Sequence, residues 1–322
     1  MPLVPATTPT LWFIGLSTAQ SSIMRVFPRW AAHLGLDAAI RGMDFPLHSA
    51  AEEYREAVTF LKADPLSMGA LVTTHKLDLF AACRDLFDGI GPHATLMEEV
   101  SCLSKPDGHL VAEAKDPATS GLALDGFLPP GHFSRTNAEM FVMGAGGAAI
   151  AMTWHLMRPE REAERPARII VSDILRERLA HIEAVHGRIG AEVPVEYTHV
   201  TNAAGNNAIL AGLAPGSLVV NATGLGKDAP GSPLTDAACF PEQGIVWELN
   251  YRGDLVFLDQ ARAQAEARAL SVHDGWRYFI HGWTQVIAEV FGVTIPTFGA
   301  GFEALSQIAA EATGRPPPGA AQ

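Results

Sequence analysis

At 322 residues, with 48% hydrophobic and 18% charged residues, the chain has room for two domains of ordinary size and is too apolar for a disordered polyampholyte. Its formal net charge of −12 excludes a basic surface of the kind that binds nucleic acid or anionic membrane, so a small-molecule substrate is the default partner. Three cysteines, Cys83, Cys102 and Cys239, are too few and too dispersed for a disulfide framework or a zinc ligand cluster, so a reducing cytoplasm and no metal are expected. Neither a membrane-spanning apolar run nor a secretory signal pattern is present in the sequence, and a soluble, unexported protein follows as the expectation.

In chain order, short apolar runs alternate with longer amphipathic ones, the pattern of parallel strands joined by crossover helices, and the predicted class is α/β. LWFIGL (Leu11–Leu16) and ALVTT (Ala70–Thr74) read as strands, with helices over IMRVFPRWAAHLGL and SAAEEYREAVTFLKA between them. From Glu99 to Asp116, two apolar stretches flank KPDG, a turn signal that predicts a hairpin. After Phe141 the strand candidates are the run before GAGGAA, then ARIIVSD to Asp173, VPVEYTHV, SLVVNATG, GIVWELNY and ARALSVHDG to Gly275. That number suits a doubly wound, Rossmann-type nucleotide-binding sheet. Helices over WRYFIHGWTQVIAEVFG and FEALSQIAAEA close the pattern, and GRPPPGAAQ reads as an unstructured tail.

Four of these junctions carry chemistry. Gly144, Gly146 and Gly147 lie in GAGGAA between a strand and a helix. There the backbone must turn tightly and approach a pyrophosphate without a Cβ, while the helix offers free N–H groups. Ala145 belongs to the same turn, and Ala148 stands at the third glycine position as an accepted variant. A plain glycine turn is the alternative. Asp173, at the end of the next strand, can accept from both adenosine ribose hydroxyls and would repel a 2′-phosphate, so NAD is preferred to NADP as cofactor; Arg176 and Arg178 follow it closely. The alternative there is a solvated strand-end carboxylate. NATGLG (Asn221–Gly226), after SLVV, reaches the same edge of the sheet and reads either as a cofactor-side loop or as an ordinary strand-to-loop turn. Lys76, where a strand leaves an apolar layer, could shuttle a proton with Asp116 as its carboxylate partner, although lone lysines and aspartates are more often solvated.

The order of these pieces resembles the shikimate dehydrogenase family. GALVTTHK is similar to that family's GxNVTxPHK, AKDPATSGL to NTDGxG, GAGGAA to its cofactor loop, NATGLG to NATSxGM, and ELNYRGDLVFLDQA to DxxYxPxxTxxLxxA. The resemblance implies a split substrate domain over residues 1–118, completed by C-terminal helices over 277–312, and a Rossmann domain over 119–276, which leaves the proline-rich tail over 313–322. It implies that Lys76 is the acid and base toward the substrate oxygen and that Asp116 positions the hydroxyl. Thr74, Ser21, Ser101, Tyr251 and Gln285 fall on the substrate side, and Asn221, Ala222, Thr223 and Gly275 on the cofactor side.

Departures from the family pattern bear on the substrate. Of the SxS pair that holds a carboxylate, Ser21 matches the first serine and Ile23 replaces the second; Ser101 and Ala114 stand where the family has asparagines, and Gly282 where it has a glutamine, with Gln285 one turn later. Unpaired polar groups cost about 1–3 kcal/mol each, so a cyclic or polyhydroxylated substrate other than shikimate is expected. Arg25, Trp276, Arg277 and His281 are candidates for lining the altered pocket, with core packing as the alternative for the tryptophan. Two rivals stand beside this reading: a genuine quinate or shikimate dehydrogenase with Arg25 or Arg277 as carboxylate anchor, and a non-catalytic NAD-sensing or partner-binding protein. A homodimer is expected only from the prevalence of twofold assemblies.

Overall fold

In the computed structural model the described residues are 3–190, 192–227 and 229–315. They form two units, one of the residues up to Lys115 together with those from Ile280 onward, the other Asp116–Phe279. Each has its own six-stranded sheet.

The first unit runs β1 (Thr10–Gly15), α1 (Ile23–Leu34), β2 (Ala39–Asp44), α2 (Ala51–Ala63), β3 (Ser67–Val72), α3 (Lys76–Cys83), β4 (Gly89–Ile90), α4 (Pro92–Met97), β5 (Cys102–Ser104) and β6 (Val111–Glu113). Its sheet order is β2-β1-β3-β5-β6-β4. β1 pairs in parallel with β2 and β3, whereas β3–β5 and β5–β6 are antiparallel, so the KPDG turn does join a hairpin. All of β1 is buried, as a strand with neighbours on both sides and helices on its faces must be. Two details differ from the sequence reading. β2 was not among the expected strands: AIRGMD lies at the sheet edge and is only half-buried, so it lacks a strong apolar pattern. The strand expected over Ala70–Thr74 ends at Val72, and Lys76 opens a helix.

The second unit runs α5 (Asp116–Asp125), α6 (His132–Thr136), β7 (Met140–Met143), α7 (Gly147–Met157), β8 (Ile169–Asp173), α8 (Arg176–Ile189), β9 (Val195–His199), α9 (Ala203–Leu210), β10 (Leu218–Asn221), β11 (Ile245–Glu248), α10 (Val256–Arg262), α11 (Ala265–Arg268) and β12 (Ser271–His273). The order β12-β11-β10-β7-β8-β9, parallel throughout, is the doubly wound dinucleotide-binding arrangement. The central strands β7 and β10 are buried along their whole length, which accounts for their unbroken apolar sequences. ARALSVHDG is a strand only over Ser271–His273, its first residues ending α11.

α12 (Trp276–Phe291) spans the boundary at Ile280, and α13 (Gly299–Thr313) packs on α1, where the Trp30 indole N–H donates to the Leu305 carbonyl at 2.8 Å. α13 extends to Thr313, the first residue of the expected tail, whose part from 316 onward lies outside the described residues. Among the described residues, no helix is long and apolar enough to cross a membrane.

Candidate functional site

In the second unit the candidate positions Gly144, Asp173 and Thr223 lie at the carboxyl ends of β7, β8 and β10, where a doubly wound sheet places its ligand crevice. Gly144 leaves β7 at φ +97, and a Cβ there would stand 2.7 Å from the Ala222 carbonyl oxygen, so this turn admits only glycine. Gly146 caps α7, and the space a Cβ would take at Gly146 is open. The turn is braced by Asp173, whose Oδ2 accepts from the Ala145 N–H and whose Oδ1 accepts from the Leu175 N–H, both at 2.8 Å. Asp173 is thus a structural clasp as well as a strand-end carboxylate, and ribose hydroxyls would have to use its remaining lone pairs. A cavity of about 290 Å³ lies here, lined among others by Gly144, Asp173, Ile174, Arg178, Thr223 and Leu225. Glycines where a phosphate backbone must approach, an open helix N-terminus and a strand-end carboxylate together fit a dinucleotide. Arg178, exposed on the cavity wall, brings a positive charge beside Asp173.

Asn221 does not face that cavity. Its side chain is fully buried, and its Nδ2 donates to Glu248 Oε2 at 2.7 Å, while its Oδ1 accepts from the Thr223 N–H and Oγ1–H at 3.1 and 2.7 Å. Thr223 lines the cavity and Ala222 touches the Gly144 turn, so Asn221 shapes the loop from behind. Gly275 has a packing reason: a Cβ there would clash with the Leu249 carbonyl, and its N–H donates to the Asn250 carbonyl at 3.1 Å. Gly147 and Ala148 form the first turn of α7. Sequence reasoning missed Glu248 and Asn250; the available signal was an acid inside the apolar strand IVWE, which demands buried partners.

In the first unit, the polar run after β3 folds as a turn. Thr74 is exposed at φ 66, a left-handed conformation that a β-branched residue rarely adopts. His75 is buried at 1% exposure, its Nδ1 2.9 Å from the Tyr54 hydroxyl, and burial lowers its pKa against the opposing pull of nearby carbonyls and Asp78. Lys76, half-buried, begins α3. The Val72 N–H donates to the Ser101 carbonyl and the Val100 N–H to the Lys76 carbonyl, which brings Ser101 beside the turn. The Ser101 hydroxyl oxygen accepts from the Lys115 N–H at 2.7 Å, and the residue is 4% exposed. Ser21 and Gln285 are half-buried, and Ile23 is fully buried.

Asp116 opens α5 in the second unit and is 8% exposed; its carbonyl accepts from the Ser120 hydroxyl at 2.6 Å. Tyr251 is half-buried, its ring 4.4 Å from that of Phe279 and 5.9 Å from that of Trp276. Of the pocket-lining candidates, Arg25 is exposed and Arg277 half-buried, whereas His281 is fully buried and stacked on Phe302 at 4.4 Å, a core position, and Trp276 packs among aromatic rings at 5% exposure.

A parallel doubly wound sheet with this glycine turn and strand-end carboxylate defines an α/β protein with a Rossmann-type dinucleotide-binding unit. The chain is 28% identical over 290 residues to a shikimate dehydrogenase (NADP(+)) of Sphingopyxis alaskensis, a match covering 89% of this chain and 92% of that protein. Among solved structures it is similar to the quinate dehydrogenase of Corynebacterium glutamicum in complex with NAD, with a TM-score of 0.72 and 19% identity over 94% of this chain and 99% of that one. It is similar also to the shikimate dehydrogenase of Aquifex aeolicus, with a TM-score of 0.71 and 16% identity over 97% and 99%. No protein-family model matches. Over nearly its whole length the chain therefore resembles the shikimate and quinate dehydrogenases, in sequence at 28% identity and in fold.

Proposed function

We propose that the protein transfers hydride reversibly between a nicotinamide dinucleotide and a hydroxyl or ketone carbon of a cyclic or polyhydroxylated small molecule. The observation that carries this reading is the strand-end cavity built by Gly144, Asp173 and the Thr223 loop. The dinucleotide, when bound, supplies the hydride acceptor or donor. Lys76 takes the hydroxyl proton as the alcohol is oxidised and returns it in the reverse direction, while Asp116 hydrogen-bonds the substrate and orients it for that transfer. NAD is the proposed cofactor: Asp173 supports it through charge repulsion of a 2′-phosphate, whereas the nearby Arg178 is the residue through which NADP would be accommodated.

The proposed substrate differs from shikimate because Ile23, at the second position of the carboxylate-holding serine pair, is fully buried and has no hydroxyl to offer, and Ser101, in place of an asparagine, is 4% exposed and lacks the amide's second polar group. The test is dinucleotide reduction, read as absorbance of the reduced nicotinamide, across quinate, shikimate, inositols and other cyclic polyols with NAD and with NADP. Turnover of a neutral polyol with NAD is the expected result. Turnover confined to quinate or shikimate would replace the substrate reading, and dinucleotide binding without turnover of any of them would favour a sensing role.

A further inference from the structure

We propose that Glu248 is the positioning residue that holds the 222–226 loop in its dinucleotide-binding shape, acting through Asn221 and Asn250 as an acceptor-only hub. The inference rests on reading the Gly144–Thr223 cavity as a dinucleotide site. Glu248 ends β11 and is fully buried. Its Oε2 accepts from Asn221 Nδ2 at 2.7 Å, and its Oε1 accepts from the Asn250 N–H at 2.8 Å and from Asn250 Nδ2 at 2.7 Å. All three partners are donors. Both amide groups also donate to the Leu225 carbonyl, at 3.3 and 3.1 Å, so the carboxylate and that carbonyl share one pair of asparagines.

Neither asparagine can be reversed without loss. Asn221 Oδ1 faces the Thr223 N–H and hydroxyl, and the Thr223 hydroxyl in turn accepts from the Leu225 N–H at 3.2 Å. The chain of hydrogen bonds therefore runs from the carboxylate to Thr223 and Leu225, which line the cavity, and stops there. Packing alone does not call for a carboxylate in β11, where an apolar side chain would avoid the desolvation penalty. Burial pushes the Glu248 pKa up to about 7, with Asp274 acting in the same direction and the asparagine donors opposing, so the hub is acceptor-only in its ionised form, above that pH, where the affinities are to be measured.

Two substitutions separate this role from simple packing. Glu248→Gln keeps the shape but turns a donor toward a cage of donors; Glu248→Asp loses a methylene but remains acceptor-only. A packing role ranks Gln as the milder change, and an acceptor role ranks Asp as the milder. The readouts are NADH and NADPH dissociation constants, from quenching of tryptophan fluorescence, together with Tm. For Glu248→Gln we expect dinucleotide affinity to fall about tenfold or more, as for a lost hydrogen bond to a charged group, with a smaller change in kcat at saturating dinucleotide. Glu248→Asp should lie between Gln and the parent. Asn250→Ala, which removes one amide shared by Glu248 and Leu225, should weaken binding in the same direction and serves if Glu248→Gln does not fold. Unchanged affinity in the folded variants, or Asp worse than Gln, overturns the proposal. If the parent protein binds neither dinucleotide, the cofactor reading itself fails and the proposal falls with it.

Discussion

Thr74 holds a β-branched side chain in a left-handed turn, at φ 66, immediately before the buried His75 and the helix that Lys76 opens. Such strain is retained where the surrounding structure over-determines it, commonly near functional groups. Thr74→Gly should therefore raise stability by up to about 1 kcal/mol, seen as a higher Tm, while lowering turnover; a lower Tm would mean that the threonine is held by favourable contacts. Lys76→Ala should lower kcat by about 10²-fold and spare dinucleotide affinity, as loss of an acid–base group does, and unchanged turnover would remove Lys76 from the chemistry. Asp173→Ala should weaken NAD and narrow its advantage over NADP, and because the carboxylate also clasps the Ala145 N–H, weaker NADP binding is expected as well. Titrations with both dinucleotides separate the two effects. Asp173 was legible in the sequence because a strand-end acid after a glycine turn has a recognisable position. Glu248 was not, since its meaning lies in Asn221, 27 residues away in sequence and adjacent only in the sheet.

At the scale of elements, legibility followed burial. β7 and β10 lie at the centre of a parallel sheet and read as unbroken apolar runs, whereas β2, a half-buried edge strand containing Arg41 and Gly42, gave no such pattern. α3 escaped notice for a related reason: it is eight residues long and begins inside the polar run that looked like the end of a strand. The β7–α7 turn depends on the neighbouring β10 loop as much as on its own glycines. Gly144→Ala should place a methyl 2.7 Å from the Ala222 carbonyl, destabilise the protein by about 1–3 kcal/mol through overpacking and reduce dinucleotide affinity more than tenfold. Normal affinity in that variant, with unchanged Tm, would show that the turn can relax around the added carbon.

Across the whole molecule, the second unit carries a pH dependence that follows from burial. His186, 5% exposed and hydrogen-bonded to Thr153 Oγ1 at 2.7 Å and to the Tyr197 hydroxyl at 2.8 Å, has its pKa lowered by burial to about 4, and burial takes His273 to a similar value. A histidine whose folded pKa is depressed binds its proton first in the unfolded chain, so stability is full above pH 6.5 and is lost as pH falls toward 4. For His186 that amounts to roughly 2 kcal/mol between pH 7 and pH 5. Glu248 acts in the opposite sense across the same range, because its folded pKa of about 7 lies above its ordinary value and the folded state gains stability by protonation as pH falls, so the net fall is the amount by which the two histidines together exceed it. Thermal unfolding should show a Tm that falls between pH 7 and pH 5, and His186→Gln should flatten that fall; an equal slope in the variant would mean the titrating group lies elsewhere. The family resemblance was legible from five short motifs in order, while the burial of Ser101, Ile23 and His281 emerged only with the fold. The central claim is hydride transfer, and the most direct measurement supplies the oxidised dinucleotide and cyclic polyols deuterated at the carbinol carbons, then reads the mass of the reduced dinucleotide. A one-deuteron gain that Lys76→Ala suppresses is the expected result, and reduction without deuterium, or no reduction with any polyol despite dinucleotide binding, would contradict it.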